Sequence, residues 1–480
     1  MSSSDHEPVL RRATPAASAA GTALVLSMAL IFPQVAGAQS GEQVLNDNQT
    51  SMHAAIRQVC PQLAALVRSE AATTAESELF IRCNRVLNTT GGIDSQSPAL
   101  QALTAEEANA ARTNTIEFGT ASRTSVLGRL ATLRNAGGGA ALASLAAPGQ
   151  TQVSLMGGAS GDEAGAAAGR LGVYVQGMLG QGDKERTRDE AGYDVDTLGF
   201  SAGADYRFTD SLVAGLALAY SEAESDFTRD STGTPIDGGF DSDGYTFSLY
   251  GSWYGERAYV DLIASYGDVD FESTRSIVYT VDAPAGQVGD VVLPTTDSVN
   301  RIARGQTSGD TVSVGLSAGM DWARGPWLFG PLVAINYLDL SVDGFSESGA
   351  AELNLIYGEQ SAESLQLQLG LNLAYTVSTA RGVVVPYGSV VFISEQEDDQ
   401  DSFRLRYLSD PCARADSGVT TCSYFDVRSD DPDTSFLRWN VGLSAVLAND
   451  FSAFIDYTSI ASLDTISYGE ITIGARYQFR

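Results

Sequence analysis

The sequence predicts an all-β transmembrane barrel of twelve antiparallel strands, preceded by a small α-helical N-terminal segment. Three observations carry that expectation. Apolar and polar residues alternate with period two from about Leu171 to Phe479, with no helical pattern between. The connections alternate between tight turns and long polar loops. Aromatic residues collect at strand ends. Lipid outside and water inside a closed barrel require that dyad repeat.

The last strand shows the pattern plainly. Ile471, Ile473, Ala475, Tyr477 and Phe479 alternate with Thr472, Gly474, Arg476 and Gln478. An earlier strand sets Leu365, Leu367, Leu369, Leu371, Leu373 and Tyr375 against Gln366, Gln368, Gly370, Asn372 and Ala374. Similar segments centre on Tyr174, Phe200, Leu216, Leu249, Leu262, Leu316, Val333, Val390, Leu443 and Ile455, which brings the count to twelve. Tight turns fall at Thr209-Asp210, Tyr254–Glu256, Arg324–Pro326, Thr379–Gly382 and Ala448–Asp450. Long loops fall near 182–194, 224–243, 272–309, 340–362 and 395–434, with a shorter one near 460–468. An even strand number puts both barrel ends on the short-turn side. Tyr206, Phe208, Trp253, Tyr254, Trp322, Trp327, Trp439, Tyr477 and Phe479 suit interfacial girdles.

The regions before the barrel divide by composition. Residues 1–38 read as a secretory signal. Arg11 and Arg12 precede an apolar run from Ala19 to Phe32, and Val35-Ala-Gly-Ala38 offers a cleavage site. That run is shorter than the roughly 20 residues a membrane helix needs. Residues 39–100 read as a helical segment, with helical spacing in 52–60, 62–67 and 78–87. The cysteines are Cys60, Cys83, Cys412 and Cys422, and four cysteines allow three pairings. Nearest-neighbour pairing is favoured because each pair then sits inside one segment. Cys60–Cys83 would staple the helical segment, and Cys412–Cys422 the longest loop. Residues 101–135 read as a linker helix, with Thr104 as N-cap and Glu107 three residues on. Its Arg123, Arg129 and Arg134 are placed to pair with lumen acids such as Asp205, Asp321 and Asp456, or to remain solvated. Residues 136–169 are a Gly/Ala-rich linker, and 170–480 are the barrel.

Charge and motifs exclude several functions. The net charge is −30 and the single lysine is Lys184, so a nucleic-acid partner is not expected. Two Gly-x-Ser-x-Gly matches, around Ser201 and Ser317, lie mid-strand with no helix after them, unlike a hydrolase elbow. The only histidines are His6 and His53, so no barrel serine has a base within its domain. No His/Cys cluster has zinc spacing, and no cofactor is expected. The acidic runs at 395–401 and 430–433 read as solvated loops, with divalent cations at a lipopolysaccharide surface as the other reading.

A signal peptide, a short exported segment, a helix and a C-terminal barrel ending in aromatic-x-Phe resemble the type V autotransporter family. The resemblance covers residues 171–480, and loosely 104–135. It implies a barrel in the outer membrane of a Gram-negative bacterium, in contact with lipid and lipopolysaccharide and placed by barrel-assembly machinery. It further implies a helix in the lumen, and display of the preceding passenger. Tyr477-Gln-Phe479 resembles the family's assembly signal, although Arg480 follows it. The passenger here is short and has no β-helical repeats, and no Asn-Asn pair offers the family's cleavage pattern. The N-terminal segment is therefore expected to stay attached to a monomeric barrel, facing an unidentified ligand. A porin-like channel with periplasmic helices is the alternative. Some family members carry an esterase passenger, but this helical segment is too small for one, so no enzymatic activity is expected.

Overall fold

A computed structural model describes residues 45–108, 170–397, 402–429, 434–447, 450–461 and 465–479. The expected signal at 1–38, the arginine-bearing stretch 109–135, the 136–169 linker and Arg480 lie outside the described residues.

Twelve long strands form the barrel: β1 (Leu171–Lys184), β2 (Gly192–Thr209), β3 (Leu212–Arg229), β4 (Gly238–Tyr254), β5 (Ala258–Asp282), β6 (Thr296–Met320), β7 (Trp327–Val342), β8 (Gln360–Tyr375), β9 (Gly382–Glu395), β10 (Ser435–Leu447), β11 (Phe451–Ala461) and β12 (Ile466–Gln478). Each pairs antiparallel with the next, and β1 pairs with β12, with Val175 opposite Ala475. That pairing leaves no sheet edge in the bilayer, where an unpaired N–H or C=O would be costly. All twelve centres expected from the alternation fall on these strands. Short turns join β2–β3 and β4–β5 at one end. The barrel's first and last residues are at that same end, where the Phe479 N–H donates to the Leu171 carbonyl at 2.9 Å.

The outward face is apolar. Leu369 and Leu371 are 61% and 66% exposed, while their neighbours Gln366 and Gln368 are buried inside. Trp253, Trp322, Trp327, Tyr477 and Phe479 are exposed at the short-turn end. Towards the long-loop end Tyr245 and Tyr266 close the band, and Trp439 lies edge-on to Tyr457. On β4, Tyr245 and Trp253 are eight positions apart, which is roughly 20 Å of bilayer for a strand tilted by about 40°.

Past Tyr266 the dyad inverts. The outward residues of β5 become Asp268, Asp270 and Glu272, and the inward ones Val269, Phe271, Ile277, Tyr279 and Val281. The residue range 272–309, expected as a loop, is largely strand. β5 and β6 remain paired from Ala258–Met320 to Asp282–Thr296, so the hairpin projects well beyond its neighbours. Likewise β3 and β4 extend to Arg229 and from Gly238. The reason is a change of solvent: above the lipid, the outer face meets water and the inner face acquires a core.

That core belongs to a compact head at the long-loop end. Helices α1 (Asp47–Arg68), α2 (Thr74–Leu87) and α3 (Ile93–Leu103) pack there. Reciprocal capping boxes start α1 (Asn46 with Gln49) and α2 (Thr73 with Glu76). Met52, Ile56, Leu63, Leu79 and Phe80 are fully buried, each contributing about 1.5–3 kcal/mol by burial. Their cluster includes Ile277, Val281 and Val299 of the hairpin, and Leu355, Leu405, Phe425 and Val427. The last four come from a three-stranded sheet (Leu355–Tyr357, Phe403–Tyr407, Phe425–Val427) built by two barrel loops. At the hairpin tip Gly289 has φ +55°, and a Cβ there would meet the Val67 carbonyl at 2.7 Å, so glycine lets the tip abut α1.

Cys60–Cys83 joins α1 to α2, with Cα atoms 5.7 Å apart, and Cys412–Cys422 closes part of the β9–β10 loop at 5.1 Å. A second expectation is corrected. Thr104 does not begin a helix; it caps the end of α3, its hydroxyl donating to the Gln101 carbonyl at 2.8 Å. Ala105 then takes φ +55°, which breaks the helix before the 3₁₀ turn Glu106–Ala108.

Candidate functional site

Two parts of the molecule hold its candidate function: the inner wall of the barrel and the junction between barrel and head. Over the membrane band the inner wall mixes polar groups with a small apolar cluster of Tyr174, Val213, Ala217, Tyr250 and Ile263. Arg476 pairs with buried Asp205 at 2.9 Å. Tyr387 donates to Asp456 at 3.2 Å. Asp321 sits at the short-turn end, its N–H donating to the Arg257 carbonyl at 2.7 Å. Thus the three acids proposed as lumen partners are separate, and the arginines proposed for them, Arg123, Arg129 and Arg134, fall outside the described residues. Ser201 is buried mid-strand in β2, and Ser317 donates to Asp261 at 3.2 Å. Neither occupies a strand-to-helix elbow.

Nearer the long loops the inner wall turns apolar. Tyr193, Phe227, Phe240, Phe271, Leu340 and Val342 form a buried layer contributed by β2, β3, β4, β5 and β7. The Phe240 and Phe271 rings lie 5.5 Å apart. An apolar layer of this kind disfavours water.

The head is fastened over that layer by buried polar contacts. Where β4 begins, opposite Gly238, Arg275 grips Glu347 with two bonds of 2.9 and 2.6 Å. Both side chains are almost fully buried. Glu347 also accepts from the Leu355 N–H and the Tyr357 hydroxyl, each at 2.8 Å. Arg82 of α2 bridges Asp297 of β6 and Glu352, the latter at 2.8 Å. Arg85 donates to the Pro284 and Pro294 carbonyls at 2.6 and 2.9 Å, clasping the hairpin tip. Arg414, two residues after Cys412, reaches Glu76 at 3.0 Å. Arg275, Glu347, Arg82 and Glu352 were not singled out from the sequence. The one available signal was parity: Arg275 lies in the inward register with Ile277 and Tyr279, where a lone charge needs a partner.

The chain leaves the head through another buried acid. Glu106 accepts from the Ser231 N–H at 2.7 Å. Burial, with Glu107 beside it, pushes its carboxyl up to about 8. Its folded-state value therefore lies above the unfolded one, so the folded head holds a proton the unfolded chain releases. Head stability is expected to fall as pH rises from about 4.5 through about 8. Glu106→Gln should flatten that slope, as read by protease resistance of residues 45–108 at several pH values. An unchanged slope would mean another group titrates.

Glu106 and Ser231 place the end of the head at the long-loop end. By contrast the Arg207 N–H donates to the Arg170 carbonyl at 2.8 Å, at the short-turn end. The last described residues of the head and the first of the barrel therefore lie at opposite ends of the barrel. His53 is half-buried on α1, and burial, then the Arg57 charge, holds its imidazole below the ordinary range.

The sequence matches the family model described as the autotransporter β-domain over residues 173–458. Among curated proteins it is 23% identical over 247 residues to outer membrane protein A of Rickettsia conorii, covering 50% of this chain and 11% of that one. It is 26% identical to Lipase 1 of Photorhabdus luminescens, covering 52% and 34%, and 22% identical to Esterase EstA of Pseudomonas aeruginosa, covering 56% and 36%. The chain thus spans between about a tenth and about a third of the length of these relatives. Among solved structures, the translocator domain of the autotransporter NalP from Neisseria meningitidis aligns with TM-score 0.47 and 14% identity, covering 65% of this chain and 90% of that one. The β domain of the Bordetella autotransporter BrkA aligns with TM-score 0.40 and 16% identity, covering 65% and 100%.

Proposed function

Because the chain belongs to the autotransporter β-domain family, we propose that its outer-membrane barrel holds residues 45–108 at the cell surface as a permanent head. The observation that carries this is the position of the chain ends. The head closes on the long loops, while Arg170 enters the barrel from the short-turn end. With the short turns in the periplasm, as in outer-membrane barrels generally, the head faces outward. The chain thus leaves the head at one face of the membrane, at Ala108, and re-enters at the other, at Arg170.

Retention follows from the shared core. The helices bury their apolar faces against barrel loops rather than each other alone, so release would expose that surface. Residues 1–38 serve as the export signal, and Tyr477 and Phe479, edge-on at 5.1 Å at the end of the closing stave, serve the assembly machinery. The barrel acts as a monomer among lipid and lipopolysaccharide. The lipase and esterase names belong to those relatives. Here His53 makes no hydrogen bond to a serine or cysteine among the described residues, and the head is a binding rather than a catalytic module.

The test is fractionation of expressing cells. Residues 45–108 are expected to stay with the outer membrane after low-salt and urea washes, in one chain with the barrel. A fragment ending before Leu171 in the medium would contradict retention. Planar-bilayer recording of the purified protein should show no steady open pore; porin-like conductance with the head in place would favour the channel alternative.

A further inference from the structure

A concave groove lies on the outer wall where β11, β12, β1, β2 and β3 run side by side, with a volume of about 800 Å³. Its membrane-side floor is apolar: Leu179, Leu198 and Ile471 all point outward. Gly469 deepens it. A Cβ there would meet the Tyr457 hydroxyl at 2.6 Å, so the missing side chain lets that ring lie along the floor. The rim towards the long-loop end is acidic, formed by Asp196 and Glu224, with Glu222 beside the floor opposite Leu198.

Among the described residues the rim has no internal counter-charge. Asp196 stands directly opposite Glu224 across β2 and β3, a like-charge arrangement that is unfavourable unless something positive lies between. Gln181 donates to Asp196 at 2.8 Å, a neutral contact. None of the three carboxylates joins an ion pair among the described residues. The volume is within the range of small-molecule sites, about 300–1,000 Å³. An occupant must be apolar on the membrane side and positive at the rim, at the level of lipid headgroups. We propose that this groove binds a lipid-like amphiphile with a cationic, ammonium-bearing headgroup, its alkyl chain along Leu179, Leu198 and Ile471 and its charge between Asp196 and Glu224. Lipids with only phosphate charges are repelled by the same rim.

Trp439 reports on the site. It packs against Tyr457 with ring centroids 5.5 Å apart, and Ser459, its cross-strand partner, lines the groove. The full chain carrying Trp253→Phe, Trp322→Phe and Trp327→Phe leaves Trp439 as the sole tryptophan. It is placed in phosphatidylcholine nanodiscs with a minor fraction of brominated-chain lipid, either trimethylammonium-headed, phosphatidylcholine or phosphatidylglycerol. The ammonium lipid is expected to be enriched at Trp439 by roughly fivefold over phosphatidylcholine, the size of a partly exposed charge pair. High salt should erase that enrichment in the unsubstituted rim. Asp196→Asn with Glu222→Gln and Glu224→Gln should erase it too, while Asp268→Asn with Asp270→Asn, outside the groove, should keep it. Heat-modifiable gel mobility checks folding, and the salt arm needs no rim variant. Equal quenching by all three lipids overturns the proposal. So does enrichment that survives salt, or phosphatidylglycerol enriched only with magnesium, which would make the rim a divalent-ion bridge.

Discussion

Arg275→Ala is expected to unlatch the head and leave the twelve staves closed. Arg275 is 4% exposed and is the inward residue opposite Gly238, where β4 begins. Its guanidinium takes both Glu347 oxygens and also donates to the Leu353 carbonyl at 3.2 Å. Removing it leaves Glu347 buried without its charge partner, which costs about 3–5 kcal/mol. Glu347 in turn orders the segment that bears Leu355 and Tyr357, two members of the head core. The loss therefore spreads into the helices. Limited proteolysis of the folded protein should cut within residues 45–108 and 343–358 of the variant, with β1–β12 protected and heat-modifiability kept. Wild-type resistance in the variant would mean the head does not depend on this pair.

Leu369→Arg is expected to oppose insertion of the barrel itself. Leu369 points outward at 61% exposure, six positions along β8 from Tyr375, whose ring packs on Trp327 of the short-turn girdle, which puts it roughly 15 Å in, inside the apolar band. A charge there costs about 2–4 kcal/mol. Gln306→Arg is the matched control. It also points outward, on β6, but above the lipid and opposite Glu272, so it should be nearly neutral. Urea titration in lipid vesicles should show a lowered folded fraction for the first variant only. Equal effects would place Leu369 outside the hydrocarbon.

The barrel was legible because lipid imposes one rule on every stave. Leu365–Tyr375 and Ile471–Phe479 show it without exception, and nearest-neighbour cysteine pairing needed only local reasoning. The projecting hairpin was not legible as strand. Its outer face carries Asp268, Asp270 and Glu272, and charges on the face that had been apolar read as loop. The inward Val269, Phe271 and Ile277 held the compensating signal, one residue out of phase with the lipid-facing series. The head core was hidden for a different reason. It is assembled from residues as distant as Met52, Ile277, Leu355 and Phe425, and no local pattern pairs them. Thr104-x-x-Glu107 has the spacing of a capping box, but the same threonine can close a helix as well as open one. Here the buried bond from Glu106 to Ser231 fixes the chain's exit and decides it.

The acidic outer face between β2 and β5 ties these parts together. Asp196, Glu224, Asp241 and Glu272 lie in one cross-strand row. They mark where the lipid ends and the water-exposed head begins.

The central claim is that the head and the short turns lie on opposite sides of the outer membrane. Asp94→Cys, on an exposed position of α3, and Asp210→Cys, in the β2–β3 turn, test it. The native cysteines are all in disulfides, so each variant offers one thiol. With a membrane-impermeant maleimide, the cysteine at 94 should label on intact cells and that at 210 only after permeabilisation. Labelling at 210 but not at 94 on intact cells would invert the orientation, and protection of both until permeabilisation would place the head in the periplasm.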